Sequence, residues 1–312
     1  MARDPWDVSE RPHTKAKLRL LSDYFGRWLI IWNGPRQREW AAKDWYVIDM
    51  FAGQGRYRDA DGTVRGSPLV YLERVNDMID KLRAGGVHVH ILLMEKKRKN
   101  FAALQANVND FLDSHPGIGD VATVTMLMDD SNSETAWAAV ARLPLKSNTP
   151  AFLLVDPYGF AIRRETMDRL VLLPGRKDLL FNYMVSGVKR AEGIAAKPRE
   201  ALSRREETTL ATYVDFLGQD VVLGEDADSP QEYADAAFVS KGYYVVAYDM
   251  DYPDRAGTLY YLLFVTKNKD IADMARGMFG ESKKQDFSGQ LCFWSSEQLK
   301  AQISWFPPKD SA

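Results

Sequence analysis

The fold is decided by the stretch Val47-Ile48-Asp49-Met50-Phe51-Ala52-Gly53-Gln54-Gly55. An apolar run that ends in an acid and two closely spaced glycines predicts a β-strand followed by a tight turn that a ligand can approach closely. Open α/β sheets bind ligands at the carboxyl ends of their strands, which is where Asp49 lies. The third glycine of the dinucleotide fingerprint is absent, so pyrophosphate binding at a helix N-terminus is disfavoured. A glycine-rich turn without a ligand stays the alternative.

Strands and helices alternate along the chain on both sides of this stretch. A helix is predicted from His13, where apolar residues recur at steps of three and four, to Gly34-Pro35, which ends it. Ser131 and Glu134 have the spacing of a capping box and predict another helix start. The remaining pattern predicts a polar loop at 56–66, strands at 45–51, 88–94, 121–128, 151–155 and 178–184, and helices at 67–83, 100–112, 165–173, 207–217 and 269–279.

The last third of the chain changes character. Apolar runs at 243–248 and 259–266 are joined by a short turn with Pro253 and Gly257, which predicts an antiparallel hairpin. We therefore expect an α/β fold: a Rossmann-like, doubly wound, mostly parallel sheet with an antiparallel C-terminal hairpin. The expected divisions are a flexible N-terminal arm at 1–12, one α/β domain at 13–280 that includes a mostly helical, partly basic insertion at 186–242, and a C-terminal extension at 281–312.

Charge and composition limit the classes of function. The 312 residues carry a formal net charge of −2, so no global electrostatic argument favours nucleic acid or an anionic membrane. The single cysteine, Cys292, excludes a disulfide framework and a cysteine-based zinc site, and His88 and His90 lack further ligands, so no metal is expected. The first eleven residues have no apolar signal core, and no early apolar run is long enough to span a bilayer. We expect a cytoplasmic protein with no membrane contact.

Acids follow the next two predicted strands. Glu95 comes directly after the strand at 88–94, where a carboxylate can accept hydrogen bonds from both ribose hydroxyls of an adenosine. Its alternative is a surface acid beside the cations at 96–99, a run that is more often a solvated helix start. Asp129 and Asp130 follow the strand at 121–128 and are candidates for contact with the adenine amino group. Their alternative is a favourable charge at a helix N-terminus.

The fourth candidate is Asp156-Pro157-Tyr158-Gly159-Phe160, which follows an apolar strand. The Asp156 carboxylate and the Pro157 carbonyl can accept the two hydrogens of an exocyclic amine, which aims the nitrogen lone pair at an electrophile. Either Tyr158 or Phe160 can stack on the base that carries the amine. A strand that ends in a simple D-P-x-G turn is the alternative.

These motifs together resemble a known family. The opening His13-Thr-Lys-Ala-Lys17-Leu, the turn from Asp49 to Tyr57 and the strand end at 155–160 look like the three-Cys-motif partner family, which has the class I S-adenosylmethionine methyltransferase fold. The resemblance spans roughly residues 13–280. It implies S-adenosyl-L-methionine as cofactor, bound by His13, Lys17, Asp49, Phe51, Gly53, Gly55, Glu95, Asp129 and Asp130, and a partner protein that carries three cysteines.

One departure bears on the reaction. Amino-methyltransferases carry an acid or amide, two prolines and then an aromatic residue, whereas here Tyr158 takes the second proline's position and Gly159 stands where the aromatic would be. The leading hypothesis is a methyltransferase acting on an amine of a nucleic-acid base. The alternatives are a non-catalytic partner protein that keeps the fold, and a nucleic-acid-processing enzyme with metal-binding carboxylates, against which the lack of a close acidic cluster argues.

Overall fold

The structure is a computed structural model that describes residues 6–9, 12–34, 39–60, 62–218, 230–251, 257–283 and 303–306. Its α-helices are α1 (Pro12–Trp32), α2 (Ser67–Asp77), α3 (Ile79–Gly85), α4 (Arg98–Ser114), α5 (Glu134–Ala141), α6 (Arg164–Leu172), α7 (Val185–Ala195), α8 (Arg204–Leu217), α9 (Pro230–Ala237) and α10 (Lys269–Lys283). Its strands are β1 (Asp44–Asp49), β2 (Arg56–Asp59), β3 (Gly62–Arg65), β4 (His88–Met94), β5 (Ala122–Leu127), β6 (Pro150–Val155), β7 (Arg176–Tyr183), β8 (Tyr244–Asp251), β9 (Thr258–Thr266) and β10 (Ile303–Phe306).

The chain divides into two compact units. The first comprises residues 1–154, 174–177 and 281–293, and the second comprises 155–173, 178–280 and 294–312. In the first unit, the parallel strands lie in the order β6-β1-β4-β5. The first four strands of a Rossmann sheet have this order, and its ligand crevice opens where the order reverses, here between β1 and β6. Asp49 pairs with Leu93 of β4 and with Leu154 of β6, so the carboxyl ends of these strands lie at one edge.

Aromatic side chains fill the core of the first unit. The apolar face of α1 supplies Phe25 and Trp28, whose rings lie 5.4 Å from Phe152 of β6 and 5.6 Å from Trp45 of β1. Tyr71 of α2 meets Phe25 edge-on at 5.1 Å. Each of these rings is almost completely buried. They hold α1 and α2 against β1 and β6, the two strands that flank the crevice.

The polar stretch at 56–66, predicted as a loop, is instead an antiparallel hairpin of β2 and β3. Tyr57 of β2 pairs with Val64 of β3, and the residues on either side of each are polar or charged, a pattern that suits a short, half-exposed hairpin. Gly62, at the start of β3, has a positive φ (131°). Within the predicted N-terminal arm, Trp6–Ser9 lies beside this hairpin. The Val8 amide donates to the Arg58 carbonyl (2.8 Å), and the Arg58 amide donates to the Trp6 carbonyl (2.7 Å).

Two helix boundaries also differ from the expectation. The helix predicted at 67–83 is broken at Met78 into α2 and α3. The N-cap of α5 is Ser133, whose hydroxyl accepts from the Ala136 amide (3.0 Å), and not Ser131. Ser131 is buried and its hydroxyl donates to the Met50 carbonyl, so it links the end of β5 to the end of β1. The stretch Ser229-Pro230-Gln231-Glu232 also has the spacing of a capping box, but Ser229 lies outside the described residues.

The second unit is built on antiparallel strands in the order β10-β8-β9-β7. The predicted hairpin is confirmed as β8 and β9, in which Val245 pairs with Val265. Helices α7 and α8 lie within the predicted insertion, and the core beneath them is aromatic: Phe216 stacks on Tyr233 at 4.8 Å, and Phe181 lies 5.4 Å from Tyr233. With its parallel and antiparallel parts in place, the predicted α/β, Rossmann-like fold is confirmed. Among the helices that the structure describes, none has the length and apolarity needed to cross a bilayer.

The aromatic core of the first unit predicts the effect of Phe152→Ala. Removal of this buried ring should lower the free energy of unfolding by about 3–5 kcal/mol, because a cavity remains among Phe25, Trp28 and Tyr71. Chemical denaturation measures the loss. The control is Ile30→Ala on the exposed side of α1, which should change stability by no more than about 0.5 kcal/mol. Equal effects of the two substitutions would contradict the assigned core.

Candidate functional site

Asp49 is fully buried at the end of β1. Its Oδ1 accepts a hydrogen bond from the Phe51 amide (3.0 Å), and its Oδ2 accepts one from the Tyr71 hydroxyl (3.4 Å). A buried carboxylate is tolerated when hydrogen bonds compensate it, so this acid fixes the backbone where the strand turns. In this position Asp49 supports the glycine-rich turn from within and offers no exposed surface to a ligand.

The turn itself, residues 50–55, is held at several points. Gly53 and Gly55 have φ values of 64° and 79°, a region that glycine adopts without strain. The Ala52 amide donates to the Met94 carbonyl at the end of β4 (2.8 Å). A Cβ on Gly66, just before α2, would lie 3.1 Å from the Gly55 carbonyl carbon, so glycine allows α2 to start close to the turn. Phe51, also expected to bind the cofactor, is half-buried.

Glu95 is connected to this turn by side chains. Its Oε1 accepts from the Lys97 amide (2.7 Å) and from the Asn100 side chain (3.3 Å). Asn100 in turn accepts from the Gln54 side chain (3.1 Å), and the Gln54 carbonyl accepts from Asn107 of α4 (2.8 Å). Glu95 is half-buried, and the two hydrogen bonds that its side chain forms with described residues both use Oε1, so Oε2 is available to a ligand in this part of the chain.

Of the two acids after β5, Asp130 is engaged by neighbours. Its Oδ2 lies 2.6 Å from Lys96 Nζ, and its Oδ1 accepts from the amide and side chain of Asn132. Partial burial raises the pKa of Asp130, but the Lys96 ammonium and the bonds from Asn132 outweigh burial and hold that pKa below its ordinary value. Among the described residues, the side chain of the half-buried Asp129 accepts one hydrogen bond, from the Asp130 amide (2.7 Å). Asp129 is therefore the better placed of the two for a ligand.

His13 and Lys17, one helical turn apart near the start of α1, are both half-buried. Lys15, between them, forms an ion pair with Asp59 of β2 (2.6 Å). The hydrogen bond from Lys15 is the main reason that the pKa of Asp59 lies below its ordinary value. The start of α1 is thereby tied to the hairpin that follows the glycine-rich turn.

Asp156 lies in the second unit, directly after β6. Its Oδ1 accepts from the side-chain amide of Asn182 on β7 (2.7 Å). Burial above all, and then the charge of Asp156, raises the pKa of Tyr260 on β9, so this tyrosine keeps its proton. Asn182 is buried, and its hydrogen bond orients the carboxylate of Asp156 from one side. The side chain of Asp156 is itself half-exposed.

The residues after Asp156 differ sharply in exposure. Tyr158 is 89% exposed, whereas Phe160 is 8% exposed and packs against Tyr213 and Phe216 at 4.8 and 5.1 Å. A Cβ on Gly187 of α7 would lie 2.9 Å from the Phe160 ring. Phe160 is therefore a core residue of the second unit, and its predicted stacking role is left to Tyr158. Pro157 is buried, and Gly159 has a φ of 66°, a conformation that glycine adopts without strain.

Sequence reasoning missed the two amides that orient the acids, Asn100 and Asn182. Each had a signal, because each is a polar residue in a position where the pattern calls for an apolar one. Asn100 shares the buried stripe of α4 with Leu104, Val108 and Phe111, and Asn182 interrupts the buried run of β7. Buried amides need hydrogen-bond partners, and the nearest strand-end acids are the natural ones. In the part of the chain that the structure describes, no group of three or more His, Cys, Asp or Glu residues is arranged to hold a metal.

Strand order and site together define a Rossmann-like α/β protein. Its candidate cofactor-binding residues lie at the carboxyl ends of β1, β4 and β5, next to the switch point between β1 and β6. No protein-family model and no curated protein sequence matches the chain. Among solved structures, it is similar to protein LPL1258 from Legionella pneumophila strain Philadelphia 1, described under the family-model DUF519, with a TM-score of 0.43 and 10% identity over 98% of this chain and 99% of that chain. It is also similar to "Putative methyltransferase yhhF" from Escherichia coli, with a TM-score of 0.29 and 10% identity over 72% of this chain and 78% of that chain. Both TM-scores are too low to assign a fold or a function. The fold class follows from the order and direction of the strands.

The ion pair of Asp130 predicts a pH dependence of stability. Because the folded state lowers this pKa, the stabilisation is present above the unfolded value of about 3.9 and disappears as the pH falls through the folded value. Asp130→Asn should therefore cost up to about 1 kcal/mol at neutral pH, a small value because Lys96 is mostly exposed. Denaturation at neutral and acidic pH should show this difference shrinking in acid. Lys96→Met should follow the same pH trend, and a cost that does not vary with pH would refute the assignment.

Proposed function

We propose that this chain is an S-adenosylmethionine-dependent methyltransferase that acts on an amine of a nucleic-acid base. The observation that carries the proposal is the chain of hydrogen bonds from Gln54 through Asn100 to Glu95. It couples the glycine-rich turn after β1 to the acid after β4, the two features that a nucleoside-type cofactor needs side by side. The resemblance of the sequence motifs to class I methyltransferases supports the same cofactor.

The residues of the first unit suit such a cofactor. Glu95 keeps one carboxylate oxygen for the ribose hydroxyls, while Asn100 and the Lys97 amide fix its other oxygen. Asp129 would accept a hydrogen bond from the adenine amino group. The glycines of the turn at 53–55 would allow the ligand to come close to the protein backbone. Asp49 would act only through the turn, because its side chain is buried.

The chemistry follows from this assignment. When bound, S-adenosylmethionine supplies an electrophilic methyl group. The chain must then present an amine with its lone pair aimed at that group and exclude competing orientations, which is catalysis by positioning. We assign the amine to Asp156, whose carboxylate is held by Asn182, and we assign the stacking of the base to the exposed Tyr158.

A nucleic-acid acceptor is supported by a run of cations beside Glu95. Lys97, Arg98 and Lys99 are exposed, and among the described residues their side chains form no ion pair. Lys96 is neutralised by Asp130, and no acid lies in the first turn of α4. Positive charge that no neighbour offsets, next to a proposed nucleoside site, suits the phosphates of a polynucleotide. The family resemblance adds a three-cysteine protein as the proposed partner.

The cofactor assignment predicts the effect of Glu95→Ala on binding. Loss of charge-assisted hydrogen bonds should cost roughly 1.5–3 kcal/mol, which is about tenfold or more in the dissociation constant of S-adenosylhomocysteine. Calorimetry measures this constant. Asp113→Ala, which removes an exposed acid of α4, is the matched control and should leave it unchanged. Wild-type protein that does not bind at millimolar ligand would end the proposal.

The acceptor assignment predicts that Asp156→Ala separates transfer from binding. Misplacing the reacting amine should cut methyl transfer by about a hundredfold while cofactor affinity stays nearly intact. A radiolabel assay with DNA, RNA and protein as acceptors measures transfer, and Asp156→Asn should keep more activity because it retains one acceptor oxygen.

A different pattern is expected of a non-catalytic partner protein, for which the plain turn at Gly159 is the supporting observation. It would show no transfer in the wild type. Wild-type transfer that persists unchanged in Asp156→Ala would instead remove Asp156 from the reaction.

A further inference from the structure

The indole of Trp6 lies directly on Gly53 of the glycine-rich turn. A Cβ at Gly53 would lie 2.5 and 2.8 Å from two carbons of the Trp6 ring, so any side chain there would require the indole to shift. Gly53 is buried, as are Ala52 and Gly55 of the same turn. Two features therefore favour glycine at this position: the φ of 64° and the packing of Trp6 against the backbone.

Trp6 is the first residue of the segment Trp6–Ser9, here named the strap, and the rest of this segment holds it in place. Val8 of the strap is completely buried, and the strap pairs with Arg58 of β2 through the two backbone hydrogen bonds given above. The ring of Trp6 also lies 5.3 Å from that of Tyr57. The strap is thus joined to β2 by one parallel β-bridge, between Asp7 and Arg58, and β2 begins immediately after Gly55.

Each part of the turn is fixed by a different neighbour. Asp49 fixes the Phe51 amide, Asn107 fixes the Gln54 carbonyl, and Gly66 packs on Gly55. Trp6 is the contact on Gly53. Two glycines with positive φ have wide backbone freedom, so the conformation of the turn depends on all of these contacts.

We propose that Trp6 is a positioning residue of the cofactor site: the strap clamps Gly53, keeps the turn in its binding conformation, and is in turn stabilised by bound cofactor. This inference rests on the proposed function. Because coupling between two sites is reciprocal, whatever the strap contributes to cofactor affinity the cofactor contributes to docking of the strap.

The first test measures the affinity for S-adenosylhomocysteine by calorimetry. If the turn without its clamp adopts the binding conformation about one tenth of the time, Trp6→Ala raises the dissociation constant about tenfold. Val8→Asp, which detaches the strap without touching Trp6, should have a similar effect, and Trp6→Phe should restore most of the affinity. Ser9→Ala is the control, because Ser9 is exposed and, within the described residues, its side chain is bonded to Asp7 of the strap itself. Unchanged affinity in Trp6→Ala would overturn the proposal.

The second test uses a signal that a purely structural role would not move. Hydrogen exchange at the amides of Val8 and Arg58 should slow when S-adenosylhomocysteine binds the wild type, and the effect at Arg58 should be lost in Trp6→Ala. Ligand binding that leaves these amides unprotected would overturn the coupling.

The third test needs no ligand and separates this proposal from the proposed function. Gly53→Ala should destabilise the wild type through backbone strain and through collision with Trp6, but a Trp6→Ala background through strain alone. A clearly smaller loss of unfolding temperature in that background supports the clamp, whereas additive losses overturn it. Should the wild type bind no S-adenosylhomocysteine, the proposed function fails, and this cycle still decides whether Trp6 clamps the turn.

Discussion

The side chain of Asp49 has no contact with solvent, and its carboxylate accepts the amide hydrogen of Phe51. A buried carboxylate without partners would be strongly unfavourable, so the backbone after β1 must bend to bring an amide to it. That bend starts the turn in which Gly53 and Gly55 take positive φ values. The turn in turn sets the position of the Gln54 side chain, which meets Asn100, and through Asn100 the orientation of Glu95. A single buried acid thereby governs both halves of the candidate site.

The strands were the most predictable part of the fold, for a physical reason. β4 has half-buried histidines alternating with a buried valine at its start and is continuously apolar and buried from Ile91 to Met94. Gly86 before it and Glu95 after it limit this run, so its predicted and observed bounds coincide. The hairpin of β2 and β3 was missed because its composition is that of a loop, and only the pairing of its two sides distinguishes it. The cap of α5 is Ser133, whereas the Ser131 hydroxyl donates to the Met50 carbonyl. Local spacing cannot reveal a competitor that lies 81 residues away.

The candidate site shows the same division between local and long-range information. Acids at the ends of strands can be recognised from the sequence, since the chain alone places them at the sheet edge. Their roles cannot, because these depend on partners brought in by the fold. Lys96 and Asn132 engage Asp130 and leave Asp129 more available, and Asn182 orients Asp156 from β7. Tyr158 and Phe160, equivalent as candidates for stacking, are separated only by packing, which exposes one and buries the other.

Gly53 illustrates how a motif can have more than one cause. A glycine in a strand–turn motif is usually attributed to a ligand that must approach the backbone. Here the space on the Cβ side of Gly53 is filled by the chain's own Trp6, so a ligand can approach this residue only from another side. The two causes are compatible, and the two glycines are needed for different reasons. Gly53 accommodates the strap, whereas Gly55 is needed for its φ of 79°, and α2 can start close to it because Gly66 has no side chain. A turn packed on its outer faces in this way has few conformations left to lose when a ligand binds, and that preorganisation favours binding.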